Sequence, residues 1–185
     1  ESGKVKTEMT VEEPILWDIE NPYLYTVHTA VSVDGTLFDA QDDRIGFRTF
    51  RVDANEGFLL NGRRVFINGV CAHQDFGLTG KAVPDNIHRY KIELIKEMGA
   101  NGYRTSHYPH PEATMDALDE LGFIVLDETR WFSTAREHID ALEMLIRRDR
   151  NRPSVFFWSL ANEEPLLATP CGRAIFKNLK ALVQK

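Results

Sequence analysis

Between residues 57 and 185, short apolar runs alternate with stretches of helical periodicity, and this alternation restricts the fold more than any other property of the sequence. Four apolar runs occur, and each is followed by a helical segment. Strands that alternate with helices form a parallel sheet with right-handed crossovers. The predicted strands are 65–70, 101–105, 123–126 and 155–161, and the predicted helices begin near 85, 111, 134 and 173, the third at a Thr134-x-x-Glu137 capping box.

These four units predict half of a barrel, because a complete TIM barrel has eight β/α units in roughly 250 residues. Residues 1–56 follow another pattern, with period-two strands at 24–33, 36–38 and 45–52 that are typical of an antiparallel sandwich. We therefore predict an α/β chain of TIM-barrel type in two parts. Residues 1–56 form the C-terminal part of an immunoglobulin-like β-sandwich domain, and residues 57–185 form the N-terminal half of a (β/α)8 catalytic barrel.

Two dipeptides that end in glycine mark hairpin turns. Asp34-Gly35 separates two of the period-two strands, and Asn61-Gly62 lies between the apolar segments 58–60 and 65–67. Both dipeptides favour turns in which two successive residues have positive φ, the geometry that joins antiparallel strands most tightly. The sequence therefore predicts a tight hairpin at each position.

Composition and charge narrow the classes of partner. The chain has a net charge of −6 and no basic cluster, which argues against nucleic acids and anionic membrane surfaces as partners. No apolar run is long enough to predict a membrane-spanning helix. Cys71 and Cys171 lie far apart and lack the spacing of a metal site or a disulfide framework, so the sequence does not indicate a compartment.

Polar residues collect where each predicted strand ends. The carboxyl ends of parallel strands lie on one rim of a barrel, where barrel enzymes carry their catalytic groups. Because the strand bodies are mostly apolar, four polar ends on one rim predict a single site. An Asn-Glu pair favours glycoside hydrolysis, in which a carboxyl acid/base acts beside an amide that binds a sugar hydroxyl. The four ends hold Asn68–Asp75, Arg104–Pro109, Asp127-Glu128 and Asn162-Glu163.

Structural alternatives stay open for these residues. Asn162 could simply cap the helix that follows it. His73 and His107 could bind a metal together with a nearby carboxylate, although they lack the helical i, i+4 spacing of many such ligand pairs. Arg104 and Asp127 could form a buried ion pair with a purely structural role.

The motifs together resemble glycoside hydrolase family 2, the β-galactosidase and β-glucuronidase group. They occur in the family's order and span nearly the whole chain, and as a set they are specific, although Asn-Glu alone is not. The matching segments are Asn21-Pro22-Tyr23-Leu24-Tyr25, Gly46-Phe47-Arg48, Leu60-Asn61-Gly62, Asn68-Gly69-Val70 with His73, Arg104-Thr105-Ser106-His107-Tyr108-Pro109, Asp127-Glu128 and Trp158-Ser159-Leu160-Ala161-Asn162-Glu163.

The resemblance implies a retaining glycosidase that cleaves terminal β-linked sugars, with β-galactosides as the first expectation and β-glucuronides as the alternative. Glu163 would be the acid/base, and Asn162 would bind the sugar 2-hydroxyl. His73 and His107 match positions that contact the sugar. Arg104 would lie beneath the site and orient carboxylates.

Two further side chains complete the expected site. Asp127 is expected to pair with Arg104 and so to support the site. Trp131 follows the third predicted strand and is a candidate platform for a sugar ring.

The sequence also departs from the family pattern. The family's nucleophile is a glutamate on strand seven, beyond the four units predicted here, and the family pattern supports neither Glu128 nor Glu164 in its place. The Glu-x-His magnesium site of larger β-galactosidases does not follow Asp127-Glu128, so we expect no metal and no cofactor.

The expected partners follow from this departure. They are a carbohydrate substrate and the rest of the barrel or a complementary fragment, with self-association through the open sheet edges as a further expectation. A non-catalytic carbohydrate-binding or assembly fragment is the rival interpretation.

Overall fold

The computed structural model describes residue 3 and residues 5–185. Its N-terminal part is antiparallel: two strands form a hairpin, and three more form a second sheet. In both tight turns, at Asp34-Gly35 and Asn61-Gly62, the two residues have positive φ, which confirms the predicted hairpins. The strands are β1 (Tyr25–Val33), β2 (Thr36–Ile45), β3 (Phe50–Asp53), β4 (Gly57–Leu60) and β5 (Arg63–Arg64).

The strand predicted at 45–52 is interrupted. The segment between β2 and β3 leaves the sheet, and Phe47 bridges to Leu16 instead. Gly46 lies so close to other elements that a Cβ there would be 2.8 Å from Pro153 and 2.9 Å from Trp17. The interruption therefore allows the chain to press against the barrel. The proposed division between residues 56 and 57 falls in the turn that joins β3 to β4, and it stays a prediction.

The second part contains four β/α units. Strands β6 to β9 are parallel and lie side by side in chain order, as in the first half of a (β/α)8 barrel, which confirms the predicted fold class. The elements are β6 (Gly69–Ala72), α1 (Asp85–Glu97), β7 (Gly102–Thr105), α2 (Glu112–Leu121), β8 (Ile124–Glu128), α3 (Arg136–Asp149), β9 (Val155–Ser159) and α4 (Pro170–Val183).

Two boundaries differ from the sequence prediction. The first barrel strand starts at Gly69 rather than at Val65, because Val65 still bonds back to Phe58 in the hairpin sheet. Helix α3 starts after Ala135, whose backbone N–H donates to Ser133 Oγ, so the predicted capping box does not close. In both places a neighbouring segment takes the hydrogen bonds that the local pattern assigned elsewhere.

Buried apolar clusters join the two parts and set the position of the rim. One cluster lies between the parallel sheet and helices α1 and α2. A second connects the antiparallel part to the barrel through Trp17, which is fully buried and donates its indole N–H to the carbonyl of Asp119 at 2.9 Å. A third holds α3, α4 and the end of β9 together. The strands that carry the polar ends are thus fixed from outside by packed helices.

Candidate active site

The register between β7 and β8 decides which side chains meet on the inner face of the sheet. Arg104 is the register partner of Leu126, so Glu128, two residues further along, shares the face of Arg104. Asp127 and Thr105 lie on the opposite face, toward the helices. Ser159 is the register partner of Glu128 and therefore also faces inward.

Glu128 is the centre of the inner cluster. Its side chain is 0% exposed. Arg104 Nε donates to its Oε2 at 2.6 Å, His107 Nδ1 lies 2.8 Å from its Oε1, and Ser159 Oγ donates to Oε2 at 2.9 Å. Burying a carboxyl group without hydrogen-bond partners is costly, and each oxygen of Glu128 has at least one partner. The hydrogen bond to Glu128 also raises the pKa of Arg104 above its ordinary value.

Arg104 connects this cluster to the end of β9. Its Nη2 donates to Asn162 Oδ1 at 2.6 Å. The contact fixes the amide oxygen and leaves the amide nitrogen as the end that can donate to a ligand. Arg104 therefore holds a carboxylate with Nε and an amide with Nη2, whereas its Nη1 lies 3.9 Å from the sulfur of Cys71.

Glu163 follows Asn162 at the rim and is exposed. Its backbone has a φ of 49°, in the left-handed region that residues with a Cβ rarely adopt. Such a conformation costs about 1–3 kcal/mol and is concentrated at functional sites. Asp34 and Asn61 have a similar φ in their hairpin turns, so for Glu163 the conformation supports a functional role only together with its place at the rim.

The two histidines lie next to each other. The rings of His73 and His107 are 5.2 Å apart and nearly perpendicular, and His73 Nδ1 is 3.3 Å from the hydroxyl of Tyr108. Since Nδ1 of His107 is engaged by Glu128, its Nε2 is the ring nitrogen available to a ligand. The peptide bond between Ser106 and His107 is cis. The structure thus brings the ends of β6, β7, β8 and β9 into one cluster.

The expected pair between Arg104 and Asp127 is corrected by the structure. Arg104 binds Glu128, whereas Asp127 accepts a hydrogen bond from Thr105 Oγ1 at 3.0 Å on the other face of the sheet. The reason is the strand's alternation, which turns neighbouring residues in opposite directions. Glu128 is the important residue that the sequence prediction placed in no role. Once the register of β7 against β8 is known, the alternation of side chains along β8 places Glu128 on the face of Arg104.

Trp131 lies apart from the hydrogen-bonded cluster. Its ring is stacked on His138 of α3, with centroids 4.6 Å apart and planes inclined by 14°, and the Arg130 guanidinium lies 5.0 Å from its centroid. It remains 46% exposed. A role as sugar platform stays a prediction.

Two features are absent from the part of the chain that the structure describes. Within residue 3 and residues 5–185, no group of three His, Cys, Asp or Glu side chains is arranged to hold a metal ion, so the alternative metal site at His73 and His107 is not formed there. Helices with the length and apolar character needed to cross a bilayer are likewise absent from the described ranges.

Comparisons with known protein families agree with the observed fold. The profile of "Glycosyl hydrolases family 2, TIM barrel domain" matches residues 50–185, and that of "Glycosyl hydrolases family 2" matches residues 1–48. The barrel-domain profile alone covers more than half of this chain. The chain belongs to glycosyl hydrolase family 2.

Individual relatives carry two kinds of name. A β-galactosidase of Bacteroides ovatus, BoGH2A, is 44% identical over 168 residues, which cover 84% of this chain and 20% of the relative. A β-glucuronidase of Streptococcus agalactiae is 33% identical over 171 residues, which cover 80% of this chain and 28% of the relative. A family 2 crystal structure from Bacteroides cellulosilyticus aligns with a TM-score of 0.87 at 37% identity, and covers 92% of this chain and 24% of that one. The chain spans less than a third of the length of these relatives.

Proposed function

We propose that this chain supplies the acid/base half of the active site of a retaining β-glycosidase that cleaves terminal β-galactosides. The observation that carries the proposal is the chain of contacts from Glu128 through Arg104 to Asn162, which ends next to the exposed Glu163. These contacts support an amide poised for a sugar hydroxyl beside a carboxyl group that is open to a glycosidic oxygen.

In the proposed mechanism Glu163 acts twice. It donates a proton to the glycosidic oxygen as the bond to the leaving group breaks, and it then removes a proton from the water that releases the sugar. Asn162 donates to the sugar 2-hydroxyl, a contact that strengthens in the transition state. His73 and His107 line the same rim and offer further contacts to the sugar ring.

A retaining enzyme also needs a nucleophilic carboxylate about 5–5.5 Å from the acid/base. Glu128 is unsuited to this role because it is fully buried and both of its oxygens are engaged by Arg104, His107 and Ser159. We therefore propose that the nucleophile comes from the rest of the barrel, outside this chain. The chain on its own is then inactive.

The edges of the parallel sheet affect how the isolated chain is expected to associate. Strands β6 and β9 are the two edges of the parallel sheet, and unpaired edges invite association with other strands. We expect the isolated chain to associate with itself or to require a complementary fragment. A single monodisperse monomer in sedimentation would count against this expectation.

Two observations bear on the sugar. The Bacteroides ovatus β-galactosidase is 44% identical, above the 37% of a putative β-glucuronidase of Formosa agariphila. A uronic acid would need a cationic partner for its carboxylate, and the Nε and Nη2 atoms of Arg104 are already engaged by Glu128 and Asn162. β-Glucuronides remain the second candidate, because several relatives carry that name.

The experiment uses a chimera in which this chain replaces the matching segment of the Bacteroides ovatus relative. Hydrolysis of aryl β-galactoside and aryl β-glucuronide is measured for the chimera, for its Glu163→Gln variant and for the isolated chain. We expect the chimera with Glu163 to hydrolyse the galactoside, its Glu163→Gln variant to be slower, and the isolated chain to be inactive. Glucuronide turnover by the chimera would favour the second candidate. Turnover by the isolated chain, or equal turnover by the chimera with and without Glu163, would refute the proposed role, and a folded but inactive chimera would favour the non-catalytic rival.

A further inference from the structure

Two carboxyl groups lie buried together on the outer face of the parallel sheet. Asp127 of β8 and Asp149 at the end of α3 are both 0% exposed. Asp127 Oδ1 accepts from Thr105 Oγ1, whereas its Oδ2 is buried and has no donor when both carboxyl groups are ionised. A buried oxygen without a partner is costly, and the side chain within hydrogen-bonding reach of Asp127 is the Asp149 carboxyl group, another acceptor.

The surroundings place the negative charge on Asp149. Arg148 Nη2 donates to its Oδ2 at 2.5 Å, and Arg152 Nε donates to its Oδ1 at 2.8 Å. Asp127 has only the neutral hydroxyl of Thr105. Two adjacent carboxyl groups in a region of low dielectric cannot both ionise at low cost, so the one with fewer cations keeps its proton.

We propose that Asp127 and Asp149 share a single proton: the Oδ2–H of Asp127 donates to the Asp149 carboxylate and ties the third barrel strand to helix α3. Asp127 is then a positioning residue, in place of the Arg104 partner that the sequence predicted. The inference does not depend on the reaction that the complete protein catalyses.

One hydroxyl group carries the effect to the inner cluster. Thr105 Oγ1 donates to Asp127 Oδ1 at 3.0 Å and accepts from the backbone N–H of Glu128 at 2.8 Å. The shared proton therefore holds Asp127 in place, and the Thr105 hydroxyl connects Asp127 to the backbone N–H of Glu128. The side chain of Glu128 in turn binds Arg104. Loss of the proton leaves two repelling anions behind the site.

Two arginines approach the pair, Arg148 from α3 and Arg152 from beyond α3, and Trp158 is the register partner of Asp127 on β9. Asp116 and Asp119 of α2 bind Arg152 rather than Asp127. Burial first, and then the charge of Asp149, raise the pKa of Asp127 to about 7, against the hydrogen bond from Thr105 and the attraction of Arg148.

The raised pKa of Asp127 determines whether stability rises or falls with pH. An acid whose pKa is higher in the folded than in the unfolded protein stabilises the fold fully below its unfolded pKa, roughly 3.9 for aspartic acid. That stability is lost as the pH rises through the folded pKa, about 7 for Asp127. The titration of Asp127 should therefore lower the free energy of unfolding as the pH rises from 5 to 8.

The test compares denaturant unfolding of the 185-residue chain with that of its Asp127→Asn variant at pH 5 and pH 8. Both proteins are measured at one protein concentration, with sedimentation showing the same state of association for both. Asparagine supplies a permanent amide donor where Asp127 carries the proton, and all other titrating groups are common to both proteins. We expect the folding constant of the parent to fall by about a hundredfold relative to the variant over this range. Parallel curves for the two proteins would overturn the proposal.

Two NMR measurements complete the test. The carboxyl carbon of Asp127 should titrate near neutrality in the parent and at a lower pH in Asp149→Asn, where burial still raises the pKa but the neighbouring charge is gone. A normal acidic midpoint in the parent would overturn the proposal even if both variants failed to fold. The Arg104 Nε–H signal reports positioning, because it donates to Glu128. Its exchange with solvent should accelerate from pH 5 to pH 8 in the parent beyond the acceleration in Asp127→Asn. Equal acceleration in both would contradict the link to the inner cluster.

Discussion

Asp127 and Glu128 are neighbours in sequence and both are fully buried, yet they face opposite sides of β8 and meet opposite electrostatic conditions. Glu128 is surrounded by Arg104, His107 and the Ser159 hydroxyl. Asp127 faces a second carboxyl group. The position of a carboxyl group in the pleat, rather than its residue type, decides whether it organises cations as an anion or holds a proton as an acid.

The largest effect is expected at the inner carboxylate. Glu128→Ala leaves Arg104 and His107 facing a buried site without their anion, and breaking such a pair costs about 3–5 kcal/mol. Urea unfolding measures the loss. Glu128→Gln, which keeps the shape and one acceptor oxygen, should lose less. Equal stability of the parent and Glu128→Ala would contradict a central role for this carboxylate.

A comparison within the outer layer separates buried from exposed ion pairs. Asp119 is buried and accepts from Arg152, from Ser154 Oγ and from the Ser154 backbone, so Asp119→Ala should cost about 2–3 kcal/mol. Asp116 binds the same arginine but is exposed, and Asp116→Ala should cost about 0–1 kcal/mol. Equal unfolding midpoints for the two variants would contradict this ranking.

The Thr105 hydroxyl binds both Asp127 and the backbone of Glu128, so its removal should weaken the contacts on both faces of β8. Thr105→Val keeps the shape but leaves Asp127 Oδ1 and the Glu128 N–H without a partner, at a cost of about 1–3 kcal/mol. Thermal unfolding provides the measurement. Thr134→Val at an exposed loop position is the matched control, and a shift no larger than that of this control would show that the hydroxyl links nothing.

Within the inner cluster the smallest effect is expected at Ser159. Its hydroxyl donates to Glu128 Oε2, which also accepts from Arg104, so Ser159→Ala leaves that oxygen with a partner and should cost about 1 kcal/mol. The exposed pair of Arg136 and Asp140 gives a lower reference, since Arg136→Ala should change the unfolding free energy by about 0.3–0.5 kcal/mol. A loss at Ser159 as large as that at Glu128 would overturn the assigned order.

The sequence predicted the features that depend on local pattern. The alternation of strands and helices, the turns at Asp34-Gly35 and Asn61-Gly62, and the collection of polar residues at four strand ends all follow from spacing that a single segment contains. The partner of Arg104 could not be predicted in this way. It depends on the register of β7 against β8, which is set by packing across the sheet rather than by either strand alone.

The same physical reason explains the smaller errors. Val65 continues an apolar run, yet its backbone is bonded to Phe58, so the strand begins four residues later at Gly69. Thr134 and Glu137 have the spacing of a capping box, yet the turn at Ser133 moves the start of α3 to Arg136. In each place a competing contact outweighs a weak local preference.

The role of Glu163 is tested most directly by the dependence of rate on the leaving group. In the active chimera, Glu163→Ala removes the proton donor, so kcat/KM for an alkyl β-galactoside, a poor leaving group, should fall by about 10²–10⁴-fold. For a dinitrophenyl β-galactoside, whose leaving group needs no proton, the fall should be far smaller. Losses of the same size for both substrates would contradict Glu163 as the acid/base and would assign its effect to folding or binding.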